Sequence, residues 1–235
     1  MKKIFLIFII FIIQFSSLVS KEPKLEEILS GLKGPWSLSF IDNSKILVTE
    51  KQGNFFLVDL KNKNLSKINH NLNILVDGQG GLLEVLYSND NVFVSYSENR
   101  GKGKSSTSVA RASFNKKELK FKNIFSAEPP INSGYHFGSR LVIKDDLLYI
   151  TAGERGAGMI AQDPTKHPGS IIRIHLDGKI PKDNPKFKDK KNWLPEIFQI
   201  GVRNPQGMDL SPFDNKIYLT NHGAKGGDWF GEAIY

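Results

Sequence analysis

His136 is the residue of this sequence best suited to moving a proton. It lies in Asn132-Ser133-Gly134-Tyr135-His136-Phe137-Gly138-Ser139-Arg140, which is richer in glycine and polar residues than a strand connection needs. A free imidazole titrates near about 6.5, so it accepts a proton at neutral pH without large tuning. Oxidation of a hydroxyl to a carbonyl needs such a base, because the O–H proton must go as hydride leaves the carbon. On residue type alone, a histidine between Tyr135 and Phe137 is more often packed than catalytic, and both readings stand at this point. Arg203, in Gly201-Val202-Arg203-Asn204-Pro205-Gln206-Gly207, carries a permanent charge that suits a developing oxyanion. Its alternative is a structural arginine bonded to turn carbonyls. Asp77-Gly78-Gln79-Gly80-Gly81 and Asn221-His222-Gly223-Ala224-Lys225-Gly226-Gly227-Asp228 share the same polar, glycine-rich character. Cysteine is absent, so disulfides and thiolate metal sites are excluded, and chemistry falls to oxygen and nitrogen side chains or a bound cofactor.

Positioning such segments requires a scaffold, and a weak repeat supplies it. Trp36 to Phe40, a turn, and Lys45 to Glu50 form the first copy; Gly81 to Leu86 and Asn91 to Tyr96 form the second. Ser139 to Ile143 with Asp146 to Thr151, then Gly207 to Leu210 with Lys216 to Thr220, complete the series. Each copy is a short strand, a turn of Asp, Asn, Ser or Lys, and an apolar strand closing near Ser, Thr or Glu. Third strands follow at Phe55 to Leu60 and Ser170 to His175. Leu38, Leu83, Leu141 and Met208 are equivalent, at spacings of 45, 58 and 67 residues. A four-stranded propeller blade takes about 40–50 residues, and insertions lengthen it. The composition agrees: 16 Phe and 21 Gly suit short strands and tight turns, and 40% hydrophobic residues in a 235-residue chain are enough for a sizeable core. The fold expected is therefore all-β, a β-propeller of about four blades, with a β-sandwich as the alternative. Residues 25–32 could form a short helical turn or a lead-in strand. Three of the polar segments directly precede the opening strand of a copy, and the fourth follows the strand ending at Thr220. Propeller connections converge at one end of the channel, so these segments can meet there.

Residues 1–20 read as a secretory signal peptide, with Lys2 and Lys3 before an apolar run over residues 4–13 and a small, polar end at Ser16 to Ser20. An uncleaved anchor is the alternative, but the run is shorter than the roughly 18 residues a bilayer span wants. The expectation is an exported protein, periplasmic or secreted, without stable membrane insertion after cleavage. Residues 21–235 form the propeller domain. The formal charge of +8 falls to +6 without Lys2 and Lys3. The other lysines scatter over turns such as Lys61-Asn62-Lys63-Asn64 and residues 186–191. No basic run is interleaved with aromatics as a nucleic-acid groove requires, so no nucleic acid is expected as a partner.

Six segments in order carry a resemblance to a known family. They are Gly34-Pro35-Trp36-Ser37, Gly78-Gln79-Gly80-Gly81-Leu82-Leu83, His136-Phe137-Gly138-Ser139-Arg140, Ala161-Gln162-Asp163, Ile180-Pro181-Lys182-Asp183-Asn184-Pro185 and Arg203-Asn204-Pro205-Gln206-Gly207. From about Leu32 to Asp228 the chain resembles the glucose/sorbosone dehydrogenases, soluble aldose dehydrogenases that use pyrroloquinoline quinone (PQQ). The resemblance implies a six-bladed propeller, so a chain with four recognisable copies would be incomplete at its C-terminus. It implies an aldose substrate, oxidation of its C1 hydroxyl to a lactone, hydride transfer to the quinone, and a downstream electron acceptor that no motif identifies.

The resemblance makes His136 the general base and reverses the odds left open above. It assigns Arg203 and Asn204 to cofactor contacts, Gln79 to a position beside substrate and cofactor, and Gln162 to a cofactor-binding motif. Glu154 falls where many members carry an Asp that orients the histidine; the alternative is a surface carboxylate paired with Arg155. Ca²⁺ is implied at the turn containing Gly223 and Ala224, through two backbone carbonyls, with Ala224 where the family usually has Pro. A further family Glu ligand would fall at Trp229, and Glu232 could replace it. The family's later basic residues, which grip the carboxylates of PQQ, would lie beyond Tyr235, so this chain by itself is expected to bind PQQ poorly. A calcium-dependent lactone hydrolase and a non-catalytic binding propeller are the competing functions.

Overall fold

The computed structural model describes residues 23–185 and 192–234. The signal segment and the lysine stretch at 186–191 lie outside the described residues. Strands β1 (Pro35–Asp42), β2 (Lys45–Glu50), β3 (Phe55–Asp59) and β4 (Asn64–His70) form the first antiparallel sheet. The second contains β5 (Leu82–Ser88), β6 (Asn91–Asn99) and β7 (Ser105–Ser113). Its chain then pauses at β8 (Glu118–Leu119), which pairs in parallel with β4, before β9 (Lys122–Ser126) completes the sheet. β10 (Gly138–Lys144), β11 (Leu147–Ala152), β12 (Ser170–His175) and β13 (Ile197–Ile200) make the third. The fourth has β14 (Pro205–Leu210), β15 (Ile217–Asn221) and β16 (Trp229–Glu232). The four sequence copies open these four sheets. A 3₁₀ turn at Gly158–Gln162 is the helical element among the described residues, and none there is long and apolar enough to cross a membrane.

The hairpin turns follow from their residues. Asn89 and Asp90 both take positive φ, as do Asp145 and Asp146, the geometry that matches a two-residue loop to strand twist. Apolar faces then pack sheet on sheet. Leu47, Phe55 and Ile68 meet Leu82, Val92 and Val94; Phe93 and Val109 meet Leu141, Leu148 and Ile150; Val142, Tyr149 and Ile171 meet Ile217 and Leu219. This is radial blade stacking, so the fold is an all-β propeller with four blades in this chain.

In the first three blades a hydroxyl on the second strand has a structural role. Thr49 Oγ1 donates to the Leu83 carbonyl at 2.6 Å, Ser95 Oγ to Ser139 at 2.6 Å and Thr151 Oγ1 to Pro205 at 3.0 Å. Each bond joins the second strand of one blade to the opening strand of the next. Thr49→Val keeps the shape but leaves a buried carbonyl without this donor. It is expected to lower stability by about 1–3 kcal/mol in urea unfolding.

Residues 25–32 form neither a helix nor a strand. They run as coil, with Leu29 and Leu32 packed on the cluster of Ile46, Val48 and Val58, so apolar contact with the first blade replaces regular backbone pairing. They border a largely apolar cavity of about 820 Å³, also lined by Trp36, Leu38 and Phe40. Despite its size, this cavity gathers little chemistry, with Glu84 and Arg140 paired to each other at 2.8 Å.

Candidate active site

The loops at one end of the blades interlock through close backbone contact. Gln79 N–H donates to the Gly134 carbonyl at 2.7 Å, and Gln79 Oε1 accepts the His136 N–H at 2.8 Å. A Cβ at Gly78 would stand 2.5 Å from the Gly134 oxygen, and one at Gly153 only 2.1 Å from the His136 oxygen. Those glycines let the segments around 78, 134–138 and 153 approach more closely than side chains allow. His136 itself takes φ +50°, a backbone angle that the close packing of these loops holds in place. Gly153→Ala would push backbone against backbone. It is expected to destabilise the protein by about 1–3 kcal/mol, read as a lowered urea midpoint.

Three charged or titratable side chains meet on these loops. His136 Nδ1 makes a very short hydrogen bond to Glu154 Oε1, and Arg203 Nε lies 3.9 Å from that same oxygen. Glu154 is only 3% exposed, and its other oxygen accepts the Gly158 N–H at 2.5 Å. Its own N–H donates to the Arg203 carbonyl at 2.8 Å, so blade three's loop is tied to blade four's at the point where the side chains converge. A carboxylate at this position accepts, which favours the ring form with the proton on Nδ1 and a lone pair on Nε2. Nε2 has no hydrogen-bond partner among the described residues, and the ring is partly exposed, at 14% of its side-chain surface.

Asn204 and Asn221 fix the Arg203 loop. Asn221 Oδ1 accepts the N–H groups of both Arg203 and Asn204 at 3.0 Å. Asn204 is buried and accepts the Gly138 N–H at 3.1 Å through Oδ1, linking it to the His136 loop. Its amide nitrogen makes no hydrogen bond among the described residues. Arg203 is about one-third exposed, and Nη1 donates to the His222 carbonyl at 3.2 Å.

The remaining sequence candidates lie further out. Gln162 is exposed at the end of the 3₁₀ turn, its Nε2 near Gly201. The Gly223 N–H donates to Asp228 Oδ1 at 2.8 Å, and the Ala224 carbonyl accepts the Gly227 N–H at 3.0 Å, which closes a tight turn. Glu232 is not brought to that turn. The β15–β16 pairing sets Trp229 opposite Asn221 and Glu232 opposite Tyr218, three residues down the strand, where Glu232 pairs with Lys216 at 2.9 Å. The described donors at the turn are thus two carbonyls and Asp228, short of the six to eight oxygens that calcium takes. No group of three His, Asp or Glu among the described residues could hold a metal ion, so these residues by themselves do not fit Ca²⁺.

The Glucose / Sorbosone dehydrogenase family model matches residues 32–231. The chain belongs to that family. Among its relatives is the aldose sugar dehydrogenase YliI of Escherichia coli, 34% identical over 87% of this chain and 57% of that protein. Quinoprotein glucose dehydrogenase B of Acinetobacter calcoaceticus is 27% identical over 92% of this chain and 51% of its own length. The solved structure of the soluble E. coli aldose sugar dehydrogenase, in its apo form, superposes with a TM-score of 0.84 at 33% identity, covering 89% of this chain and 63% of that one. This glucose/sorbosone dehydrogenase chain therefore spans little more than half the length of the curated relatives it matches.

Sequence reasoning singled out His136, Glu154 and Arg203, and the structure brings them together. It missed Asn221 as the anchor of Arg203, although Asn221 opens one of the polar segments; a polar residue ending an apolar strand was the available signal. It also left Arg155 as a possible surface partner of Glu154. Arg155 is instead 3% exposed and forms no ion pair with Glu154, because its side chain turns back under the His136 loop.

Proposed function

We propose that the protein containing these residues is a PQQ-dependent dehydrogenase that oxidises the C1 hydroxyl of aldose sugars to lactones. The observation that carries this reading is the Glu154-anchored imidazole of His136, with a partnerless Nε2, sharing one carboxylate with Arg203. His136 Nε2 takes the C1 hydroxyl proton as the C1–H pair departs as hydride, leaving the C1=O of the lactone. Glu154 holds the ring in the required tautomer and stabilises the imidazolium that forms. When bound, PQQ supplies the two-electron acceptor. The residues fit such a polyanionic group: Arg203 is partly exposed with donors to spare, and the amide nitrogens of Asn204 and Gln79 have no partner among the described residues. Arg203 would help hold the group, offering a fixed positive charge to the negative charge that such an acceptor carries.

Residues 1–20 support placing this reaction outside the cytoplasm, with electrons passing to a downstream acceptor. The test is a dye-linked assay on the full-length protein, supplied with PQQ and Ca²⁺ and offered glucose and other aldoses. Dye reduction with lactone formation is the expected result. Absence of turnover with every aldose, while PQQ is demonstrably bound, would reject the reading.

A further inference from the structure

We infer that Arg155 is a positioning residue that clamps the His136 loop from beneath, so that Glu154 can hold the imidazole in one orientation. Within the 153–156 turn, Glu154 grips the ring of His136 while Arg155 grips its backbone. The Arg155 N–H donates to the His136 carbonyl at 3.3 Å, and Nε donates to the Tyr135 carbonyl at 2.9 Å. Nη2 reaches the Ser133 carbonyl in a very short bond. Three carbonyls of one short loop therefore end on a single residue. The far side of the guanidinium is fixed to blade two, with Nη1 on the Ser105 carbonyl at 2.8 Å and Nη2 on Ser105 Oγ at 2.9 Å. The guanidinium also lies 3.6 Å from the centre of the Phe137 ring, the residue after His136.

A planar fork with donors on three nitrogens is needed for this pattern, and lysine has only one nitrogen to offer. The geometry of the loop explains why a clamp is needed. His136 and Arg155 both sit at positive φ, +50° and +61°, which bulky residues adopt only when their surroundings hold them there. The site of Arg155 is also a poor one for a charge. Burial lowers its pKa to about 10, although Asp77 and Glu154 oppose that shift, and no carboxylate pairs with it directly. A buried cation satisfied by carbonyls and one hydroxyl contributes little as an ion pair, whereas its directional bonds specify one loop conformation.

This inference rests on the reading of His136 as the base, but its main test is independent of activity. In the full-length protein labelled with ¹⁵N-histidine, the wild type is expected to show a strongly downfield Nδ1 proton for His136, donated to Glu154. Arg155→Lys and Arg155→Met are expected to broaden or lose that signal and to mix the two His136 tautomers. His167, buried elsewhere between the Glu128 N–H and Glu196, serves as the internal control and keeps its spectrum. If the wild type oxidises sugars, both variants should lose about 10–100-fold in kcat with KM changed less than threefold, the signature of a misplaced group rather than lost binding. A His136 signal unchanged in both variants would overturn the inference. So would joint loss of the His136 and His167 signals in both, which would reassign Arg155 to general folding. A wild type that is inactive towards sugars, yet shows the spectral changes, would reject the functional reading and leave the clamp standing.

Discussion

Replacing His136 with glutamine in the full-length protein is expected to lower kcat for aldose oxidation by about 10²–10⁴-fold, the usual contribution of a positioned general base. Glutamine is chosen because its amide N–H can still donate to the buried Glu154 carboxylate, which is otherwise left facing only the Gly158 N–H and the Arg203 guanidinium. The fold should therefore survive with a melting temperature within a few degrees of the wild type. KM should change little, since the imidazole is assigned to proton removal rather than to holding the sugar. Steady-state dye reduction measures kcat, and PQQ fluorescence quenching checks that cofactor affinity is retained. A variant keeping more than a tenth of wild-type kcat would remove His136 from the chemistry.

Glu154→Gln is expected to reduce kcat by a comparable factor, about 10²–10⁴, by a different route. The carboxylate accepts from two directions, His136 Nδ1 on one oxygen and the Gly158 N–H on the other. An amide has one acceptor oxygen, so one of the two donors must face its NH₂ group. Either the ring rotates or the 153–158 turn opens, and in both cases the basic nitrogen is no longer fixed. Glu154→Asp keeps the charge but withdraws it by one methylene. It should fall between wild type and glutamine, with a loss of about tenfold in kcat. The ordering Glu, Asp, Gln in kcat is the diagnostic, and a glutamine variant more active than the aspartate one would contradict it.

The blades were legible because each copy brings its own punctuation. Turn pairs such as Asn89-Asp90 and Asp145-Asp146 take backbone angles few residues accept, and the short apolar strands β2 and β11 are buried at nearly every residue. The strands read from the sequence did not include β7. Its first four residues, Ser105-Ser106-Thr107-Ser108, are hydroxyl-bearing yet all buried, with Thr107 Oγ1 bonded to Phe137 O and Ser108 Oγ to Glu98. These hydroxyls find their acceptors on the loop leading into the next blade and on the adjacent strand, contacts that a one-dimensional reading does not show. Residues 25–32 failed the other way, since their apolar spacing suggested an element where contact with the first blade sufficed.

The same limit applies to the site. His136 and Arg203 could be named because they stand in glycine-rich segments, and the family resemblance gave each a role. Glu232 could not be placed from sequence, because its position depends on strand register. The β15–β16 hairpin carries it away from the Gly223 turn and towards Lys216. Arg155 was passed over for a related reason: its neighbour Glu154 offered an obvious partner, and only the positive φ of the turn sends the two side chains in different directions.

The shared carboxylate is tested most directly by the kcat of the full-length His136→Gln/Glu154→Gln double variant. If base and carboxylate act as one unit, the second substitution has nothing left to remove, and the double variant should be within about threefold of the slower single variant. Losses that multiply would show two independent contributions and would contradict the account.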